Sequence, residues 1–515
     1  MKKLLLLLTV LPSFCYSGFS QPSDQKLSAI YNRLDPTSIT QHLTLYELYP
    51  NHPIGKKALK DAWQLLQSGN PSIATVPSEI PISNSAVHAI IALVNKQPNE
   101  KYPVLDESEL QIIEKISANL KHHSLQGHHL WMKNEIIALS PQEIDLARAL
   151  FVNEFGDEDR NAIRSYEALL DLMALQIIAR LPSKASDEEI IREMNRLIFD
   201  EIGFRFPPQS TFAKDIDIYT MLPSVLDSKR GVCLGVSILY LCLAQRLGLD
   251  LEIITPPGHI FVSYRSPEKI INIETTARGI HLDSDEYLGV NTCGLQHRNM
   301  KEVIGLAHVN QAAVYWRGKR YQDALNSYYK AILFLPDDPL LKELMGYISL
   351  FCGQEDKGRK LLMEVKDHVP SFSIVKHNVA EDFLNGNVDI DGIEILFSNE
   401  EEDRESILKQ KEDLEKLVKK FPAFRSGLTQ LAMVWIKLHR MKEALEVLKR
   451  HDALDSTDPE VNYYLSVLYA QRLDYIQSWK HLKKAEAIVQ KKNYACKSLK
   501  ELRKGLQLCC PEPIP

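Results

Sequence analysis

At 515 residues the chain is too long for a single hydrophobic core, and about two to four domains are expected. Its 45% apolar and 25% charged residues are those of an ordinary globular chain, which excludes general disorder and a multi-span membrane protein. A net charge of −6 leaves no electrostatic footprint for nucleic acid, and the basic stretch 480–504 reads as a solvated helix face.

Residues 1–20 read as a secretory signal peptide: Lys2 and Lys3, the apolar run Leu4 to Leu11, then a polar exit with cleavage expected after Ser17 or Ser20. The run is too short to span a bilayer, and bulky Phe14 ahead of Cys15 argues against a lipid anchor there. An exported protein, periplasmic or secreted and without a stable membrane span, is therefore expected. Beyond the leader lie Cys233, Cys242, Cys293, Cys352, Cys496, Cys509 and Cys510. Their odd number leaves a thiol over or an intermolecular bridge, for which Cys509-Cys510 in the tail is the candidate. Their scatter suggests neither a zinc site nor a disulfide framework.

Residues 21–140 read as a helical N-terminal region. Leu27 to Leu34, Ile39 to Leu48, Gly55 to Gln67 and Leu110 to Leu120 carry apolar residues at three- and four-residue spacing, with a Pro/Ser-rich connection from Ser68 to Ser85. His122, His123, His128 and His129 fall within KHHSLQGHHLW, a spacing able to supply transition-metal ligands. A metal site needs geometry that a histidine count does not supply, so a polar turn between helices is the expected reading, with no metal or other cofactor.

A second helical stretch runs from Glu143 to Leu181. Ser186 then stands as an N-cap with Glu188 and Glu189 in the first turn, and Gly203 stops that helix. The polar stretch Phe206 to Asp217 precedes a helix over Tyr219 to Lys229. Leu234 to Leu247 is apolar nearly all round, the mark of a helix buried on every side, and Gly248 ends it. Cys233 falls in its first turn, where unpaired backbone N–H groups and the positive dipole end favour a thiolate; Cys242, mid-helix, reads as a small core residue.

The period then changes. Leu251 to Thr255, His259 to Arg265 and Lys269 to Thr275 read as strands, with a turn at Pro256-Pro257-Gly258. With Ser266 and Pro267 as the loop, His259 faces Glu274 directly and Asn272 sits diagonally on the same face, whereas a one-residue slip removes both. The sequence thus permits a cysteine nucleophile, a histidine base and an orienting acid or amide, although a buried cysteine is usually only a small hydrophobe.

EEIIREMNRLIFDEIGFRF, LDSKRGVCLGVSILYLCLAQRLGL, PPGHIFVSYR and INIETTARG, in that order, resemble the transglutaminase-like superfamily. They are most similar to SirB-type proteins, which pair such a core with tetratricopeptide repeats. The resemblance implies a small α+β papain-like core, a buried helix on an antiparallel sheet, over residues 141–298. It also implies Cys233 as nucleophile, His259 as base, and Glu274 as orienting acid; the superfamily more often has Asp there, so Asn272 stays open as the orienting group.

From Gly305 onward Ala312, Ala324, Tyr328, Ala331 and Pro336 recur as Gly346, Gly358, Leu362, Val365 and Pro370, the 34-residue tetratricopeptide period. Ala432, Trp435, Ala444 and Leu448 continue it, followed by Ser466, Tyr469, Ser478, Leu482 and Ala485. Repeats are expected over 299–396 and 423–506, with a charged helical spacer at 397–422 and a tail at 507–515. The fold expected is mostly α, with a small α+β core followed by an α-solenoid. Two functions fit: a thiol-dependent amide hydrolase or acyl transferase joined to a repeat scaffold, or a non-catalytic protein that binds a protein or peptide through its repeats.

Overall fold

The computed structural model describes residues 22–67, 84–95, 97–100, 105–207, 219–398 and 403–513. The leader with Cys15, most of the Ser68 to Ser85 connection, and the later part of the polar stretch before Tyr219 lie outside the described residues. Helices α1 Asp24–Tyr31, α2 Ile39–Leu48, α3 Pro53–Gln67, α4 Asn84–Asn95 and α5 Glu107–Ser117 open the chain. Two short 3-10 turns, Lys121–Ser124 and Gln126–His129, lead to α6 Lys133–Ala138. The second helical stretch divides into α7 Leu146–Phe155 and α8 Arg160–Ile178, because Gly156 adopts φ +76° and Asp159 caps a fresh helix.

In α9 Asp187–Asn195, Ser186 and Glu189 form a reciprocal capping box, and a π-helical turn continues the helix to Ile202. The helix expected from Tyr219 shortens to α10 Leu222–Ser228, with Pro223 in its first turn. Next comes α11 Cys233–Leu247, with Leu234 through Ala244 all buried and left-handed Gly248 closing it.

Three strands follow, β1 Glu252–Thr255, β2 Phe261–Arg265 and β3 Ile270–Ile273, and then β4 Gln296–Arg298, which the sequence reading omitted. They form one antiparallel sheet in the order β3-β2-β1-β4. The β2–β3 hairpin pairs Ser263 with Asn272 and Arg265 with Ile270, so its loop holds Ser266 to Lys269 rather than Ser266 and Pro267 alone. The expected register is thereby displaced by an even step. Because side chains alternate with period two, Glu274 and Asn272 keep the face of His259. His259 itself precedes β2, in the turn where its N–H bonds to the Pro256 carbonyl.

The N-terminal helices and the sheet share one apolar core, which runs from Ile39 through α8 and α11 to Ile273 and on to Ala307 and Phe334. The helical lead-in is thus part of the same packed unit as α11. Behind it stand the helix pairs α12 Met300–Arg317 with α13 Tyr321–Ala331, and α14 Pro339–Phe351 with α15 Glu355–Val365. After α16 Val379–Leu384, α17 Ile390–Phe397 and α18 Arg404–Lys420 come the pairs α19 Arg425–Lys437 with α20 Met441–Leu454 and α21 Pro459–Gln471 with α22 Tyr475–Gln490. Helix α23 Lys497–Cys509 closes the chain. Ala312, Ala324, Ala331, Ala432, Ala444 and Ala485 are fully buried where paired helices meet, small side chains that let the helices approach. The charged segment expected as a spacer is not simply solvated: Leu414, Leu417 and Val418 bury one face of α18 in the repeat core. No helix of the described residues is long and apolar enough to cross a membrane.

Candidate active site

Cys233 occupies the first position of α11, after an N-cap, Val232, that has no side-chain acceptor to offer. The first-turn N–H groups therefore have no capping side chain, and they point toward the half-buried thiol end of the helix. Gly235 fixes how this end is packed: a Cβ there would stand 2.3 Å from the Tyr219 carbonyl oxygen, and that same carbonyl accepts from Val232 N–H at 3.1 Å. The apolar body of α11, held by the core, makes the position of the thiol a consequence of packing.

The structure brings Cys233, His259 and Glu274 together. Cys233 neighbours His259 on one side, close enough to act on the charge of its ring. On the other, its Nε2 lies 2.6 Å from Glu274 Oε2, so Nδ1 is the nitrogen left for proton exchange with sulfur. The neighbouring Cys233 thiol and the hydrogen-bonded Glu274 carboxylate raise His259 from 6.5 to about 9, against the opposing effect of burial. Burial alone would raise the Glu274 carboxyl; hydrogen bonds from His259, Thr276 and Tyr287 outweigh it and hold Glu274 below its ordinary value. The Glu274 side chain is 5% exposed against 29% for His259, so the acid is the buried partner and the imidazole opens to solvent.

Asn272 does not reach the imidazole. It lies buried on the same face, where its Oδ1 accepts from Ser263 at 3.0 Å and its Nδ2 donates to the Leu282 carbonyl at 2.8 Å and Ser284 Oγ at 3.0 Å. Between the two groups considered as orienters, the geometry selects Glu274. Cys242 is a fully buried core residue, and burial raises its thiol further.

Several contributors escaped the sequence reading. Tyr287 donates to Glu274 Oε2 at 2.9 Å, and its ring stacks on His259 with centroids 5.7 Å apart and planes at 12°. The other carboxylate oxygen, Oε1, accepts from Thr276 Oγ1 at 2.5 Å and from Thr276 N–H at 3.2 Å. Thr275 links the site to α11 through Ser237 Oγ at 3.0 Å and the Cys233 carbonyl at 3.4 Å. The Glu-Thr-Thr run carried a local signal for Thr276, since a carboxylate bonds readily two residues ahead. Tyr287 carried none, because its loop position depends on the tertiary fold.

The C-terminal helices grip the loop that follows Tyr287. Val290 is buried among Trp479, Leu482, Val489 and Cys496. The Gly289 carbonyl accepts from Tyr494 Oη at 3.2 Å, Asn291 Nδ2 donates to Glu460 at 3.0 Å, and Glu286 pairs with Lys497 at 2.6 Å. Residues of the middle repeats join in, with Cys293 N–H bonding the Phe372 carbonyl at 2.8 Å.

A family model described as the transglutaminase-like superfamily matches residues 164–301, from within α8 to the start of α12. This segment is a transglutaminase-like domain. It contains α11, the whole sheet and every residue of the cluster around His259. No curated protein matches the chain. Among solved structures, MamA of MSR-1 aligns at 16% identity over 36% of this chain and 98% of its own, with a TM-score of 0.19. A thermophilic TPR protein of Thermus thermophilus aligns at 19% identity over 40% of this chain and 97% of its own, with a TM-score of 0.20. MamA from Desulfovibrio magneticus RS-1 gives 15%, 36%, 96% and 0.19 respectively. The repeat scaffold beside the transglutaminase-like domain is read from its own helix pairs and 34-residue period.

Proposed function

We propose that the protein is an exported, SirB-type thiol enzyme that acts on amide bonds, as a hydrolase or acyl transferase. The observation that carries this reading is the line Cys233–His259–Glu274, with the sulfur at a helix N-terminus and the imidazole beside the thiol and hydrogen-bonded to the carboxylate. The Cys233 thiolate adds to the amide carbonyl carbon, and first-turn N–H groups of α11 receive the negative charge that develops on oxygen. The His259 imidazolium then gives its proton to the departing amine nitrogen, leaving a thioester on Cys233 and a neutral imidazole. Water or a second amine attacks the thioester and returns a proton to His259. Water gives hydrolysis and an amine gives transfer. Glu274, Thr276 and Tyr287 hold the imidazole rather than touch the substrate. The repeats support a second role, presentation of a protein or peptide substrate.

The test is alkylation of the full chain by iodoacetamide at neutral pH, followed site by site. Cys233 is expected to react at least about tenfold faster than an unstructured thiol, with the advantage falling when Glu274 becomes Gln. Equal rates at Cys233 and a peptide thiol, with no phenotype for Cys233→Ala, would leave only the non-catalytic scaffold. N-terminal sequencing of protein made with its leader checks export, with mature ends after Ser17 or Ser20 as the expected result.

A further inference from the structure

The four histidines expected in a polar turn between helices lie in two turns between α5 and α6, where three of them gather into a side-chain cluster. His122 and His123 sit in the turn Lys121–Ser124, and His128 in the turn Gln126–His129. Their rings gather with centroids 4.2, 4.3 and 4.9 Å apart, and one ring nitrogen from each lies within 4.8 Å of the others. His122 is fully buried, yet neither of its nitrogens makes a hydrogen bond, and the Nε2 of His123 is likewise buried without one. Buried polar atoms in native structures have partners, so an orphaned nitrogen on each of His122 and His123, in rings gathered with His128, calls for one.

We propose that His122, His123 and His128, with Asp171 as fourth ligand, bind a divalent transition metal of the zinc class. Asp171 on α8 stands 3.4 Å from His122 Nε2 and 3.8 Å from His123 Nε2. Neither pair is hydrogen-bonded; the first distance is to Oδ1 and the second to Oδ2, which lies about 0.5 Å beyond the roughly 3.3 Å edge of a tetrahedron with metal bonds of 2.0–2.1 Å. Oδ1 is fixed by Arg246 Nε at 2.8 Å, which leaves Oδ2, on the His123 side, for a metal. His128 is oriented in the manner usual for a ligand: its Nδ1 bonds Asp145 Oδ2 at 2.9 Å, which turns the other nitrogen inward.

The charge balance favours a cation. Asp145, Asp171 and Glu167 oppose Arg246 and Arg148, the latter tied to Glu167 at 2.6 Å, which leaves one more carboxylate than guanidinium beside the three rings. Imidazole and carboxylate donors without thiolate suit zinc-class divalent ions. A cavity of about 330 Å³ lined by His123, His128, His129, Glu167 and Asp171 supplies the approach. His129 lies outside the ligand set, since its Nε2 contacts the His123 carbonyl at 3.1 Å. A bound ion would tie the two turns to α8, the first of them also packed against α11 and the second against α7.

The experiment is titration of the full, chelator-treated chain with Co(II), read by visible absorption and competed with Zn(II). One equivalent with the intense spectrum of four-coordinate cobalt, displaced by zinc, is the expected result. His123→Gln should weaken binding at least tenfold, Asp145→Asn about 10- to 100-fold, and His129→Gln not at all. Zinc should raise the melting temperature of the native chain but not of a folded His123→Gln variant. A six-coordinate spectrum, no saturable equivalent, or undiminished affinity in His123→Gln overturns the proposal. The native chain alone suffices for the first two, whatever the variants do.

Discussion

Tyr287 and His259 share one oxygen of Glu274: Oε2 lies 2.9 Å from the tyrosine hydroxyl and 2.6 Å from the imidazole, while the two rings stack face to face. The hydroxyl stabilises the ionised carboxylate, and the ring limits how the imidazole can turn. Tyr287→Phe keeps the stacking and removes the hydrogen bond. It should cost about 1–2 kcal/mol of stability and slow Cys233 alkylation several-fold, whereas Tyr287→Ala should slow it further. Equal alkylation rates in Tyr287→Phe and the native chain would deny the tyrosine any part in positioning His259.

The His259–Glu274 pair fixes a pH signature. His259 is raised from 6.5 to about 9, so its contribution to stability is complete below 6.5 and is lost as pH rises through about 9. Glu274 is lowered, so its contribution is present above 4.5 and is lost as pH falls below it. Urea unfolding of the native chain against Glu274→Gln should show the largest stability difference between these limits, narrowing on both sides. A difference that is flat with pH would mean the two groups are not coupled.

Gly235 admits the Tyr219 carbonyl at a distance no side chain allows. Gly235→Ala should therefore displace the start of α11, costing about 1–3 kcal/mol by overpacking and shifting Cys233 relative to His259. The check is a lower unfolding midpoint together with slower alkylation at Cys233.

Val290 plugs a pocket of the last repeat helices directly after the Tyr287 loop. Val290→Asp places a charge among Trp479, Leu482 and Val489 and should release that loop. Limited proteolysis should then cut within 284–294, and Cys233 alkylation should slow although no residue of the thiol site has changed. Unaltered cleavage and alkylation would show that the repeats hold the domain without positioning the site.

Much of this architecture was legible in the chain itself. The apolar circumference of α11, the switch from helical to alternating period after Gly248, the Ser186 N-cap and the 34-residue repeat are local patterns, each fixed by backbone periodicity and side-chain shape. They located Cys233 at a helix start and set His259 and Glu274 on one face, a parity that survived the longer hairpin loop because that loop added an even number of residues. Three things waited on the tertiary structure. The choice of Glu274 over Asn272 depended on which side chain Ser263, Leu282 and Ser284 engaged. The stacking of Tyr287 on His259 required a loop held by helices about 200 residues further on, as the Tyr494–Gly289 bond shows. The burial of His122 beside Asp171 required α8 and α11 to close over a turn that looks polar in sequence. Periodicity determines which face a residue occupies, but only the packing of distant elements determines what it meets there.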